Sequence, residues 1–364
     1  MLPIFEPYLD KNEIKKLVNK CIDSNWISSQ GSNIKKLESN ISKYHKSKYA
    51  LVTSSCTSAL HLALLSLNLK HHDEVICPAL TFISPANMIL LSGLKIVLAD
   101  INLETLTLDI NDLKKKITNK TRAIIVVHQF GHSAEMDEIS KICKKYKIKI
   151  IEDNAESLGG YYKNKMLGTI GDVATLSFFG NKIITTGEGG AIITNNKRIY
   201  QSCLVMRDHG MSLKKKYDHR MIGFNYRMTN LQAAVGMSQF KKLPKILKIR
   251  NKQMKLYYSL LSNNENFALR GFKNWCTPVH WLMTLILRDK KNKNKIIKFL
   301  KENNIEARPM INPVNRARHF RYIKNKFLNA EFISERSIHL PSSTNLKEIN
   351  IERISKVILS FFDQ

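Results

Sequence analysis

The chain has 364 residues, of which 43% are apolar, and its 58 lysines and arginines against 30 acidic residues give a formal charge of +28. This composition is typical of globular proteins, and with 9 prolines and 15 glycines it excludes low-complexity, collagen-like and disordered chains. The charge favours an anionic ligand, either nucleic acid or a phosphorylated small molecule, unless the lysines spread along the chain only cover its surface.

The N-terminal segment carries early acidic residues, Glu6 and Asp10, and lacks the continuous apolar core of a secretory signal. No apolar run approaches the roughly 20 residues that span a bilayer. We therefore expect a cytoplasmic protein that does not enter a membrane. The six cysteines are scattered without a CxxC pair, so we expect neither a disulfide framework nor a bound metal.

Short apolar runs alternate with helical patterns in the first two hundred residues. Strands are predicted at 49–53, 74–77, 95–99, 123–128, 149–152, 174–178 and 191–194, and helices between them, for example at 57–69 and 136–146. This alternation predicts an α/β fold with a mostly parallel central sheet. Ligands of such sheets bind at the carboxyl ends of the strands.

The second half of the chain predicts a different arrangement. A glycine-containing, polar stretch over 206–234 leads into a long helix at 231–261, which contains Pro244. A strand at 278–287, a helix at 293–303, a short strand at 305–308 and a closing helix at 350–362 follow. We expect a large domain at 1–244 and a smaller C-terminal α/β domain at 245–364.

A lysine in a glycine-rich turn is the first candidate for chemistry. Lys182 follows the strand 174–178 and precedes Gly187, Gly189 and Gly190, where the backbone can approach a planar ligand. Its amine could form a Schiff base with a carbonyl compound. Taken alone, such a lysine more often extends from an ordinary turn into solvent, and the neighbouring groups are what favour the chemical role.

Two other strand ends supply complementary groups. Asp153 ends a buried strand and could pair with a heterocyclic nitrogen, although an aspartate there could also cap the next helix. The hydroxyl-rich run 53–58, between a strand and a helix, suits a phosphate, although such caps are common without one. An amine, an acid and a phosphate cradle are together the contacts that pyridoxal 5'-phosphate needs.

The chain resembles the DegT-type sugar aminotransferases, which are fold-type I pyridoxal-phosphate enzymes. The resemblance runs nearly end to end and is carried by ISSQG (27–31), SALHLAL (58–64), DEVI (73–76), TF (81–82), EDNAE (152–156), the lysine turn (177–190), GFNYRM (223–228) and IEARP (305–309). Within the family, the lysine turn and the 225–230 segment are most similar to GDP-perosamine synthases, which aminate C4 of GDP-4-keto-6-deoxymannose.

The resemblance implies a role for each matching residue. Lys182 would bind the cofactor covalently, Asp153 would pair with the pyridinium nitrogen, Glu156 would lie near the ring hydroxyl and Phe82 would stack on the ring. The phosphate would be held by Thr57, Ser58 and Ser177, and by Asn225 of a second subunit, which implies a homodimer with shared sites. We add His219 and Arg308 as substrate-binding candidates, facing the sugar and the diphosphate.

Two departures from the family pattern concern the phosphate and the sugar. The phosphate loop usually reads Ser-Asn-Gly-Thr, whereas here Cys56 stands at the glycine position. A Pro-x-His segment usually faces the sugar, whereas here Asn315 stands at the histidine position.

The implied activity transfers the amino group of L-glutamate to C4 of a nucleotide-linked 4-keto-6-deoxy sugar, for surface polysaccharide or glycan synthesis. UDP- or dTDP-linked 4-keto or 3-keto sugars stay open as alternatives. A related C3 dehydratase would carry a histidine in place of Lys182. A basic nucleic-acid-binding protein on a relic enzyme fold has only the +28 charge in its favour, so we expect neither nucleic acid nor a membrane as partner.

Overall fold

The computed structural model describes residues 1–363, which contain a seven-stranded central sheet. Its strands are β1 (Tyr49–Thr53), β2 (Glu74–Pro78), β3 (Lys95–Ala99), β4 (Thr121–Val127), β5 (Lys149–Asp153), β8 (Val173–Ser177) and β9 (Gly190–Thr194). Their order is β1-β9-β8-β5-β4-β2-β3. The strands from β3 to β8 run parallel, and β9 is antiparallel to both neighbours. The predicted α/β class with a mostly parallel sheet is confirmed.

Helices cover both faces of this sheet because its strands are apolar on both faces: β2, β8 and β9 are buried at every position. The large domain contains α1 (Lys11–Asp23), α2 (Ser32–His45), α3 (Cys56–Ser66), α4 (Ile83–Leu91), α5 (Ile110–Lys116), α6 (Met136–Tyr146) and α7 (Lys197–Arg207). Among residues 1–363, no helix combines the length and apolar character that crossing a membrane requires.

A four-stranded antiparallel sheet forms the smaller domain. Its order is β10 (Phe267–Leu269), β12 (Met283–Leu287), β14 (Ser337–Leu340) and β13 (Arg308–Pro309). The helices α9 (Asn292–Glu302), α10 (Leu328–Arg336) and α11 (Glu348–Phe362) accompany it, and a minor sheet joins β6 (Tyr161–Tyr162), β7 (Lys165–Met166) and β11 (Cys276–Thr277). Apolar side chains of α9 and α11 cover the small sheet in a core of their own.

Two strand predictions in this domain need correction. The strand expected at 278–287 begins only at Met283, and residues 278–282 lack regular structure. The strand expected at 305–308 is the short β13. An apolar run does not reveal where strand pairing begins: Val279 and Trp281 are buried outside any strand, and Trp281 and Leu282 line a cavity.

One long helix connects the two sheets. The helix α8 (Asn230–Leu261) continues through Pro244, and it packs on α1, α2 and α11. Tyr257 and Leu261, near its end, belong to the core of the small domain. The proposed domain boundary at residue 244 therefore lies inside a continuous helix and stays a prediction.

Candidate active site

A cavity of about 480 Å³ lies at the carboxyl edge of the central sheet. It is walled on one side by the ends of β5 and β8 and the start of α3, and on the other by segments around β13 and β14. Seven of the ten predicted site residues line it, namely Thr57, Phe82, Asp153, Glu156, Ser177, Lys182 and Arg308. The parallel strands bring these segments together, because their carboxyl ends share one edge.

Lys182 extends from the turn after β8 into this cavity. Its Nζ lies 3.5 Å from Oε1 of Glu156 and 3.7 Å from the ring centroid of Trp281. The indole of Trp281 is fixed in turn, because its Nε1 donates to the carbonyl oxygen of Asn181 at 2.6 Å. A carboxylate and an aromatic face thus hold the amine in a defined position in the cavity.

Asp153 ends β5 and is almost fully buried at the cavity wall. Its Oδ1 accepts the N–H of Ala155 at 3.0 Å, and among residues 1–363 its carboxylate makes no salt bridge. Burial is the main reason that the pKa of Asp153 rises to about 6, and the charge of Glu156 adds to it. This carboxylate lacks a cation, and a protonated ring nitrogen would supply one.

The neighbouring acid has a different role. Glu152 precedes Asp153 on β5, so its side chain points to the opposite face of the sheet. There it accepts the N–H groups of Gly168 and Ile170 and lies 3.0 Å from Nε2 of His128. Glu152 therefore holds the sheet and a loop together and is not part of the cavity lining.

The phosphate end of the predicted site is formed by the first turn of α3. Ser55, Cys56 and Thr57 line the cavity there. The glycine turn approaches this turn so closely that a Cβ on Gly190 would lie 2.5 Å from the backbone nitrogen of Cys56. Position 190 therefore requires glycine because of the backbone of α3, whereas the sequence analysis expected the close approach to be to a ligand.

Three predicted residues lie outside the cavity lining. Ser58 is in a capping box, in which its hydroxyl donates to the Ser55 carbonyl at 2.8 Å. His219 and Asn225 lie in the exposed 208–229 loop, where Nδ1 of His219 binds the His209 carbonyl and Oδ1 of Asn225 accepts from Arg227. In a single chain, none of these three residues lines the cavity, and their binding roles stay predictions.

The small domain contributes a row of polar side chains. Arg308 pairs with His339 across β13 and β14, and His339 pairs with Thr284 across β12, so the three lie side by side on one sheet face. Arg308 and His339 line the cavity. Mainly burial, and then the charge of Arg270, lower the pKa of His339 to about 3, so its imidazole is neutral at physiological pH.

The sequence analysis missed Trp281, Phe130 and His339 as cavity residues. Trp281 lies in the run that was predicted as a strand, where an aromatic side chain gives no separate signal. Phe130 has a positive φ of 48°, which is rare outside glycine and has no signature in the surrounding sequence.

Comparisons with known proteins decide the family. Residues 8–359 match the model of the DegT/DnrJ/EryC1/StrS aminotransferase family. The chain belongs to this family. GDP-perosamine synthase of Escherichia coli O157:H7 is 37% identical over 363 residues, which cover 99% of this chain and 98% of that protein.

Solved structures of sugar-modifying enzymes share the fold. Helicobacter pylori PseC, an aminotransferase involved in the biosynthesis of pseudoaminic acid, is 29% identical with a TM-score of 0.94, covering 100% of this chain and 99% of PseC. A mutant GDP-4-keto-6-deoxymannose-3-dehydratase with bound GDP-perosamine is 26% identical with a TM-score of 0.91, covering 98% of this chain and all of that one. Another structure of that dehydratase holds a trapped PLP-glutamate geminal diamine.

The chain is thus a pyridoxal-phosphate-dependent sugar aminotransferase, and the cavity fits the cofactor. Asp153 is a buried carboxylate without a cationic partner, which suits a pyridinium nitrogen. Lys182 offers the amine in the same cavity. The exposed face of Phe82 lies at the cavity and suits stacking on a ring. The predicted family, enzyme class and cofactor are confirmed.

Proposed function

We propose that this aminotransferase moves the amino group of L-glutamate to C4 of GDP-4-keto-6-deoxymannose and so produces GDP-perosamine for a surface polysaccharide. The observation that carries the proposal is the 37% identity to a GDP-perosamine synthase over 99% of the chain. The related fold that holds GDP-perosamine supports it further. The lysine at position 182 favours amination over C3 dehydration.

Lys182 is the catalytic residue of this proposal. Bound pyridoxal phosphate acts as an electron sink that makes the α-proton of an amino acid acidic. The Lys182 amine would carry that proton from the α-carbon of glutamate to C4′ of the cofactor and, in the second half of the reaction, from C4′ to C4 of the sugar. Glu156 holds the amine in place from 3.5 Å. Asp153 keeps the ring nitrogen protonated, since an ion pair in a buried site favours the charged form of both partners.

The remaining predicted residues bind and orient. Thr57 and Ser177 lie at the phosphate end with the first turn of α3, and Phe82 stacks on the cofactor ring. Ser58 shapes that turn through its capping box and adds a phosphate contact. Arg308, in the small-domain wall, binds the diphosphate of the sugar nucleotide, because a guanidinium can bind two phosphate oxygens at once.

A homodimer with shared sites completes the proposal. Tyr217 and Ile222, in the same loop as His219 and Asn225, are 84% and 85% exposed. Such apolar side chains on a loop are typical of surfaces that another chain covers. In the dimer, Asn225 reaches the cofactor phosphate of the second subunit and His219 faces its sugar. The enzyme works in the cytoplasm.

The test is a substrate panel. The protein is incubated with pyridoxal phosphate, L-glutamate and GDP-, UDP- or dTDP-linked 4-keto or 3-keto sugars, and the products are identified by mass spectrometry and NMR. We expect a 4-amino sugar from the GDP-linked substrate, formed either from this substrate alone or at least tenfold faster than from the UDP- and dTDP-linked ones. Faster amination of a UDP or dTDP substrate, or a 3-amino product, would replace it by the corresponding alternative.

A further inference from the structure

A buried arginine lies behind the cavity without a carboxylate partner. Arg270 follows β10 and is 4% exposed. Its guanidinium donates to three backbone carbonyls, those of Thr105 (2.7 Å), Gln129 (2.9 Å) and Phe130 (3.1 Å). Among residues 1–363 it makes no salt bridge. Because an unpaired buried charge opposes folding, such a residue is expected to have a function beyond packing.

The charge on Arg270 persists at physiological pH. Burial lowers the pKa of its guanidinium to about 10, which still leaves the group protonated. The aromatic rings of Phe130 and Phe272 lie 5.9 and 5.4 Å from its central carbon. The surroundings of Arg270 therefore accommodate a cation through carbonyl oxygens and ring faces.

One peptide group connects this cation to the active site. The peptide between Gln129 and Phe130 presents its oxygen to Arg270 at 2.9 Å and its N–H to Oε2 of Glu156 at 2.7 Å. A guanidinium and a carboxylate thus bind opposite ends of one dipole. In buried surroundings, hydrogen bonds in such a chain strengthen one another. The other oxygen of Glu156 lies 3.5 Å from Nζ of Lys182.

Arg270 also holds an unusual backbone conformation. Phe130 has φ 48° and ψ 31°, in the left-handed region that residues with a Cβ rarely adopt. The two carbonyls that Arg270 binds in this segment, Gln129 and Phe130, stand on either side of that residue. This conformation aims the Phe130 N–H at Glu156 and places the Phe130 ring parallel to Trp281, at 6.0 Å between centroids.

We propose that Arg270 is a positioning residue that acts through the 129–130 peptide to fix and polarise the Glu156 carboxylate opposite the Lys182 amine. It touches neither cofactor nor substrate. This inference rests on the roles of Lys182 and Glu156 in the proposed function. The charged groups that act around this carboxylate are Lys182, Asp153 and Arg270.

A double-mutant cycle tests the chain of contacts. Glu156→Gln is made in the wild-type and in the Arg270→Met background, and the visible absorbance of the cofactor bound to Lys182 is titrated against pH in all four proteins. With Arg270 present, loss of the carboxylate lowers the titration midpoint by about one unit, because a nearby negative charge favours protonation. With Met at position 270, the same substitution is expected to move the midpoint less than half as far.

The outcomes separate this inference from the proposed function. Equal shifts in both backgrounds would overturn the role of Arg270 while leaving Lys182 and Glu156 in place. No absorbance band would overturn the role of Lys182 and with it both proposals. No shift on Glu156→Gln in the wild-type background would overturn the role of Glu156 and this inference, while the proposed reaction would stand. If Arg270→Met does not fold, Arg270→Gln, which keeps donor N–H groups without the charge, enters the cycle with the same expected result.

A matched control excludes a general effect of lost stability. Tyr257→Phe removes a buried hydrogen bond to the Pro341 carbonyl in the small-domain core, away from the cavity. We expect it to lower the melting temperature without changing the shift that Glu156→Gln produces. A reduced shift in the Tyr257→Phe background would show that the cycle reports stability alone and would overturn the inference.

Discussion

The Sγ atom of Cys56 lies 4.0 Å from Oδ1 of Asp153, so the first turn of α3 contacts the carboxylate that ends β5. Both side chains line the cavity. Burial, and after it the charge of Asp153, raise the pKa of the Cys56 thiol well above its ordinary value. The residue that stands in place of the usual glycine is therefore a neutral S–H group that faces a buried acid.

Cys56 is expected to react slowly with alkylating agents. Only the thiolate is nucleophilic, and each unit of pKa above the working pH reduces the thiolate about tenfold. At pH 8, iodoacetamide should label Cys56 of the cofactor-free protein at least about tenfold more slowly than in the unfolded chain. Peptide mass spectrometry measures the rate, and Cys56→Ser identifies the peptide. Labelling at the unfolded rate would contradict a protonated thiol at this position.

Asp153→Asn is expected to stabilise the cofactor-free protein at neutral pH. The folded-state pKa of about 6 lies above the ordinary 3.8, so Asp153 binds its proton more tightly in the folded protein. The stability gained from this proton is fully present below pH 4 and is lost as the pH rises through about 6. A difference of about two units corresponds to at most about 3 kcal/mol above pH 7. Denaturant unfolding at pH 4 and pH 7.5 should show a gain only at the higher pH.

The same substitution should weaken cofactor binding, because a neutral amide does not pair with a pyridinium. Fluorescence titration of the cofactor-free proteins with pyridoxal phosphate gives the two dissociation constants. Asp137→Asn is the control, since Asp137 lies in an exposed pair with Lys163 whose loss changes stability little. A stability gain at pH 4, or unchanged cofactor affinity, would count against the role of Asp153.

Lys182→Ala should abolish turnover and the absorbance band of cofactor bound covalently at position 182, while the fold persists. The amine is the cavity group that can bond covalently to the cofactor and move a proton. Circular dichroism and absorbance spectra of the purified variant check both parts. Lys245→Ala, at an exposed pair with Tyr8, is the matched control and should keep full activity. Residual wild-type turnover in Lys182→Ala would refute the assignment.

Arg308→Ala should raise the KM for the sugar nucleotide about tenfold and leave that for glutamate nearly unchanged. One charge-assisted hydrogen bond contributes about 1.5–3 kcal/mol, and a tenfold change corresponds to about 1.4 kcal/mol. Steady-state kinetics with each substrate varied in turn measures both constants. Arg353→Ala, on α11 and outside the cavity, is the control. A rise confined to glutamate would assign Arg308 to the amino donor instead.

Asn225 offers a direct test of sharing between subunits. Asn225→Asp and Lys182→Ala should each be inactive or nearly so as pure proteins. If the two are unfolded and refolded together, half of the random dimers are hybrids, and each hybrid has one intact site. We therefore expect about a quarter of wild-type activity in the mixture. An inactive mixture that contains hybrid dimers by native mass spectrometry would mean that Asn225 serves its own subunit.

The central sheet could be predicted from the sequence because strand signals are local. Runs such as 49–53 and 95–99 have the observed bounds of β1 and β3, and α6 matches the predicted 136–146. The cavity residues Lys182 and Asp153 were predictable for the same reason, since each follows a buried strand. Trp281 and Phe130 were not, because their positions depend on irregular segments packed between the two domains.

The sequence by itself determined which chemical groups stand at the ends of the strands: the amine of Lys182, the acid of Asp153 and the hydroxyls before α3. Parallel strands of fixed direction carry such groups to one edge, so order along the chain suffices. Only the tertiary structure decided that Arg270 reaches Glu156 through a peptide some 140 residues away. That contact depends on a left-handed turn and on how the small domain packs, and neither leaves a periodic trace in the sequence.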